Sequence, residues 1–141
     1  MKTGRKFKRT PGELKAIFHY LEEEYSGLGL SGKCKSEIDL SVEEVFMNMV
    51  RHNTGSSHDI EISLVKPGPG TVAIYLKDHE KIPFDLTKRK ELDVDAYARK
   101  KQPGGLGIHL VRRMMDEVKF EHHNGISLIT LVKHITEEAE C

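Results

Sequence analysis

Residues 58–79, HDIEISLVKPGPGTVAIYLKDH, constrain the fold more tightly than any other part of the chain. Ile60, Ile62 and Leu64 alternate with polar residues, and Val72, Ile74 and Leu76 do the same. Between the two runs, Pro67-Gly68-Pro69-Gly70 favours a chain reversal. Two antiparallel strands follow, each with one apolar face. Such a face has to be covered, and the segments on either side of this hairpin have helical periodicity.

Three helices are expected. TPGELKAIFHYLEEEYSGLG starts with Thr10 and Glu13 at capping-box spacing and Pro11 at the first helical position. Ala16, Ile17, Tyr20 and Leu21 form its apolar stripe, and Gly27 and Gly29 stop it. SEIDLSVEEVFMNMVRHNTG repeats the pattern, with Ile38, Val42, Val45, Phe46 and Met49 on one side, and ends at Asn53-Thr54-Gly55. After PGGLG, Ile108, Val111, Met114, Met115 and Val118 define the third helix. VKFEHHNGISLITLVKH then reads as a second hairpin, with Asn124-Gly125 as its type I′ turn. Lys77 to Gly105 is a charged stretch with at most a short helix around Val94 to Arg99, and a connection of that length in a compact domain is usually functional or disordered. The fold class is α+β: a two-layer α/β sandwich whose mixed or antiparallel sheet of four or five strands is covered on one face by about three helices. At 141 residues the chain is read as one domain, 1–141.

Composition excludes several function classes. Lys plus Arg and Asp plus Glu number 22 each, which argues against broad attraction to nucleic acid or a membrane surface. No apolar run approaches the roughly 20 residues of a membrane span. The basic start MKTGRKFKRT leads into an acidic segment rather than the apolar core of a signal peptide, so a cytoplasmic location is expected. Cys34 and Cys141 lack ligand spacing and read as reduced thiols. The pair His122 and His123 lacks the spacing of common metal sites. Lys88, Arg89, Lys90, Arg99, Lys100 and Lys101 read as a solvated charge run, and Met47, Met49, Met114 and Met115 as core filler.

Two features carry chemistry. EEVFMNMVRH places Glu44, Asn48 and His52 at successive four-residue steps, on nearly one face of the second helix and off its apolar stripe. A carboxylate one turn from an amide oxygen can serve a small magnesium site, the amide coordinating the metal while the carboxylate orients a hydroxyl or water. Each residue taken singly also fits a solvated helix surface. The other feature is the helix entrance at residues 103–107, PGGLG, where bare backbone costs entropy but can offer N–H donors to a phosphate.

Taken together, SVEEVFMNMVRH, the hairpin, KDHEKIPFD, the charged segment and PGGLGIHLVRRMMDEVKFEHHNGISLITLVKH resemble the GHKL ATPase superfamily in order over roughly residues 10–134. The chain is most similar to the bacterial anti-sigma regulatory factors that are serine-protein kinases. The resemblance implies a Bergerat-type sandwich with ATP between the helices and a lid, here roughly residues 78–105. It implies Asn48 as the magnesium ligand and Glu44 as the base for the acceptor hydroxyl. His52, Asp78, Phe84, Gly104, Gly105, Leu106 and Gly107 would complete the nucleotide site. ATP and Mg²⁺ are the implied cofactors, a sigma factor and an anti-sigma-factor antagonist the implied partners, and a homodimer the implied assembly.

The adenine box departs from the family pattern, which has Asp, any residue, Gly and shortly Pro-Phe-Asp. Here DHEKIPFD keeps Pro83, Phe84 and Asp85, but Glu80 stands where glycine should follow Asp78, and Asp78 lies one residue further from Pro-Phe. Asp78 could accept from the adenine amino group. A one-residue shift would instead present His79 or Glu80, and loss of nucleotide binding would leave a partner-switching scaffold. A sensor-kinase catalytic domain is the third reading, opposed by the lack of a phosphoacceptor helix pair before residue 10.

Overall fold

The computed structural model describes residues 4–81 and 105–135. The sheet comprises β1 (Arg5–Phe7), β2 (Ile60–Gly68), β3 (Thr71–His79), β4 (Glu117–His123) and β5 (Ile126–His134). Its spatial order is β1-β2-β3-β5-β4, and every neighbouring pair is antiparallel, which narrows the expected mixed or antiparallel sheet to the antiparallel form. Among the described residues three α-helices cover it: α1 (Leu14–Tyr25), α2 (Gly32–His52) and α3 (Gly105–Met114).

Strand periodicity decides which side chains meet the helices. Val72, Ile74 and Leu76 of β3 are buried together with Ile60, Ile62 and Leu64 of β2 and Ile129 and Leu131 of β5. Ile17 and Leu21 of α1, Ile38, Val42, Val45 and Phe46 of α2, and Ile108 and Val111 of α3 pack on them in one core. Each such side chain contributes about 1.5–3 kcal/mol by leaving water. Met49 and Met115 belong to that core and Met47 packs against it.

Several local expectations change. Thr10 makes no side-chain cap; Pro11–Glu13 forms a 3₁₀ turn, and α1 begins only at Leu14. The helix α2 starts earlier than its apolar stripe, at Gly32, because the Ser31 hydroxyl accepts a hydrogen bond from the Cys34 amide. The third helix stops at Met114, and Val118 belongs instead to β4. There Lys133, buried in β5, donates to the Met114 carbonyl and, at 2.9 Å, to Glu37 of α2, tying the end of α3 to its neighbours. Cys34 is fully buried and disulfide-bonded, which corrects its reading as a reduced thiol. Asn124 and Gly125 both adopt positive φ, 51° and 76°, as the type I′ turn requires.

Candidate functional site

The site forms where the C-terminal half of α2, the start of α3 and the ends of β3 and β5 meet. Asn48 points inward and is only 1% exposed, although its four-residue series with Glu44 and His52 lies beside the apolar stripe. Its amide nitrogen donates to the Glu44 carbonyl at 2.8 Å and to the Glu44 carboxylate at 3.0 Å. Two acceptors facing one side of the amide fix its orientation, so Oδ1 points the other way. That oxygen is buried and has no hydrogen-bond partner. A buried acceptor left unmatched costs about 1–3 kcal/mol, which a protein tolerates where a ligand supplies the missing contact.

Glu44 is held from three sides. Besides Asn48, Arg51 Nη2 approaches its carboxylate at 3.5 Å. On the third side lies Gly107 in the first turns of α3, where a methyl group built on the glycine would overlap the Glu44 carboxylate. Glycine at 107 is what lets the Glu44 carboxylate lie this close to α3; a larger residue there would push the carboxylate aside. The same contact brings the helix-entrance segment and the Glu44–Asn48 ridge together, and the N-terminal end of α3 adds a positive dipole there. His52, at the end of α2, is exposed.

Asp78 and Glu80 lie two residues apart and so extend the inward-facing row of Ile74 and Leu76. Asp78 is 1% exposed; Arg9 forms an ion pair with its carboxylate and Asn53 donates to it at 3.1 Å. Arg9 also donates to the carbonyls of His58 at 2.9 Å and Met49 at 3.3 Å. Burial pushes the Arg9 guanidinium below its ordinary range, opposed by the charges of Glu80 and Asp59. Glu80 is 8% exposed and accepts from the Ser127 hydroxyl at 2.6 Å. Its amide donates to the Gly125 carbonyl at 2.7 Å, and its own carbonyl lies 2.8 Å from His122 Nε2. Asn48, His52, Glu80, Phe120 and Ser127 line one narrow cleft, to which Asp78 does not contribute. A wider groove continues outward past His52 and Glu80 to Asn53, Lys81 and Asn124.

Phe84, Gly104, the expected helix around Val94 to Arg99, the basic lid residues and most of the lid lie outside the described residues. Gly105 and Leu106 are described as helical backbone only. Arg9, Asn53, Phe120 and Ser127 were not singled out from the sequence. The Asn124-Gly125 turn sets the pairing of Ser127 with His122 in β4, but the place of Ser127 opposite Asp78 depends on the long-range pairing of β3 with β5, which no local pattern reports. Arg9 carries no local signal. Among the described residues no group of three or more His, Cys, Asp and Glu side chains could hold a metal ion, and no helix is long and apolar enough to cross a membrane.

An antiparallel sheet under three helices, with an inward Asn one turn from a Glu that abuts a glycine-bearing helix start, defines a kinase-like ATPase domain. The histidine kinase-like ATPase domain family matches residues 7–133, and the chain belongs to it. The serine-protein kinase RsbW of Listeria monocytogenes is 29% identical over 126 residues, covering 80% of this chain and 74% of that one. RsbW of Oceanobacillus iheyensis is 30% identical over 123 residues, covering 79% and 72%. Among solved structures, the RsbU and RsbW domains of a Mycobacterium tuberculosis protein match with a TM-score of 0.67 at 14% identity, over 95% of this chain and 32% of that larger one. The SiaB–SiaC complex of Pseudomonas aeruginosa gives 0.57 at 16% identity, over 95% of this chain and 88% of that one. These structural likenesses bear on the fold alone.

Proposed function

We propose that this chain is an ATP-dependent serine-protein kinase acting as an anti-sigma regulatory factor in the cytoplasm, with an anti-sigma-factor antagonist as phosphoryl acceptor and a sigma factor as the sequestered partner. A homodimer is the assembly proposed for it. The observation that carries the reading is the buried, partnerless Asn48 Oδ1 beside the Glu44 carboxylate at the Gly107 turn. An amide oxygen is a suitable hard donor for Mg²⁺, so the residues present fit that ion; when bound, it would neutralise triphosphate charge. Gly104, Gly105, Leu106 and Gly107 are assigned to phosphate binding, and Phe84 and His52 to the rest of the nucleotide. A carboxylate at the end of β3, in the segment of Asp78 and Glu80, takes the base.

Glu44 is assigned the proton. It accepts the serine hydroxyl proton as the serine oxygen bonds to the γ-phosphorus and the bond to the β-phosphate oxygen breaks, releasing ADP. Most of the catalysis in such a transfer is positioning, which the contacts to Asn48, Arg51 and Gly107 supply for this carboxylate.

A non-catalytic partner-switching scaffold is the second reading, favoured by the engagement of Asp78 with Arg9 and Asn53. Melting with and without Mg-ATP separates the two. Ligand at about 100 times its dissociation constant adds about 2.7 kcal/mol, or roughly 8 °C for a domain of this size. No shift at millimolar ATP supports the scaffold. If the shift is present, Glu44→Ala should retain it and abolish transfer of labelled γ-phosphate to serine in the acceptor; transfer at the wild-type rate would remove Glu44 from its role.

A further inference from the structure

The geometry points to Glu80, rather than Asp78, as the residue that reads the nucleobase, by accepting a hydrogen bond from an exocyclic amino group at the purine 6-position. This deepens the nucleotide reading above and rests on it. Both carboxylates extend the same inward row of β3, but their surroundings differ. Asp78 is enclosed by the Arg9 ion pair and the Asn53 amide, and it does not line the cleft that contains Asn48. Glu80 does line it, with Phe120 and Ile129 forming apolar wall and Asn48 and His52 further along.

Glu80 is also held as a recognition group needs to be. Its backbone is fixed on both sides, by Gly125 and by His122, and its side chain is fixed by the Ser127 hydroxyl. A carboxylate that is more than nine-tenths buried and locked in direction loses little entropy on accepting one more N–H. Hydrogen bonds to charged groups are about twice as strong as neutral ones. The glutamate at the glycine position of the family pattern is thereby a replacement for the aspartate, which in this chain has been taken over by Arg9.

The test compares ATP with purine riboside 5′-triphosphate, which lacks only the 6-amino group, each with Mg²⁺ and measured by titration calorimetry on the full chain. Wild type is expected to bind ATP about tenfold more tightly than the analogue, the equivalent of one charged hydrogen bond of ~1.4 kcal/mol. In Glu80→Ala the two affinities should converge near that of the analogue. Glu80→Gln keeps the shape and the fold, and should cut the ratio at least threefold. Asp78→Asn, even if less stable, should preserve the ratio, because a folding defect weakens both ligands equally. A ratio that survives in both Glu80 variants, or collapses in Asp78→Asn, overturns the inference. A wild-type ratio of one, with both ligands bound, overturns it alone, whereas binding of neither ligand overturns the nucleotide reading itself.

Discussion

The contact between Gly107 and Glu44 allows stability and activity to be separated by one methyl group. In Gly107→Ala the new Cβ would overlap the Glu44 carboxylate, and the flexible side chain, 24% exposed, has room to swing outward. Swinging costs the 3.0 Å bond from Asn48, but Asn48 keeps the Glu44 carbonyl as acceptor at 2.8 Å, so the loss is about 1 kcal/mol. The 3.5 Å approach of Arg51 is a half-exposed pair worth at most a few tenths of a kcal/mol. Against this, alanine in a helix gains up to ~1 kcal/mol over glycine. Net stability should therefore change by less than about 1 kcal/mol, or roughly 3 °C in melting temperature. Phosphoryl transfer should fall by about 10²–10³, because a displaced base forfeits much of the 10²–10⁴ that general-base catalysis supplies. Single-turnover transfer of labelled phosphate and a thermal melt on the same preparation give both quantities. Wild-type transfer would show that the carboxylate position is irrelevant, and a loss above about 2 kcal/mol would show that the carboxylate is packed for stability.

Two further outcomes concern charge. Arg9→Met leaves the Asp78 carboxylate buried without its cation and should cost about 3–5 kcal/mol by urea denaturation, while Arg9→Met with Asp78→Leu should recover more than half of that; equal losses in the single and double variants would refute the pairing argument. His79 stacks on His58 with ring centroids 4.2 Å apart, and burial, then the neighbouring His58, Lys77, Lys6 and Arg9, holds its pKa below the ordinary value. A lowered imidazole pKa means that the unfolded chain takes up the proton first, so stability is present at neutral pH and is lost as pH falls below about 6.5. The fall in melting temperature between pH 7.5 and 5.5 should accordingly be smaller in His79→Gln than in wild type, and identical falls would sink that account.

Much of the fold was legible because its signals are local. Period-two runs gave β2 and β3, Asn124-Gly125 gave the second hairpin, and the apolar stripes gave the helices. β1 was missed because only Phe7 of its three residues is buried; the strand exists through pairing with β2, which no local pattern reports. The Thr10 cap failed because Pro11 and Gly12 start a tighter turn than the capping box assumes. At the site, Glu44 and Asn48 were visible because one helical turn brings them together. The cluster of Asp78, Glu80, Arg9 and Ser127 was not, since it depends on strand register and on an N-terminal segment crossing to β3.

The orphaned Asn48 oxygen offers the sharpest distinction between a ligand site and a piece of packing. A residue retained for stability should not leave a buried acceptor unmatched at about 1–3 kcal/mol. Asn48→Leu removes that acceptor, fills similar volume, and adjoins the apolar wall of Met49, Phe120 and Ile129. It also removes a donor to the Glu44 carboxylate, at about 1 kcal/mol, but that carboxylate keeps Arg51 and solvent. The ligand-free variant should therefore be as stable as wild type or up to ~2 kcal/mol more so, while the magnesium-dependent part of the ATP-induced melting shift disappears. Stability gained where function is lost identifies a position held by selection for a ligand. Chemical denaturation without nucleotide decides the first half, and a loss of 2 kcal/mol or more there would assign Asn48 to the architecture of α2 and withdraw it from the metal.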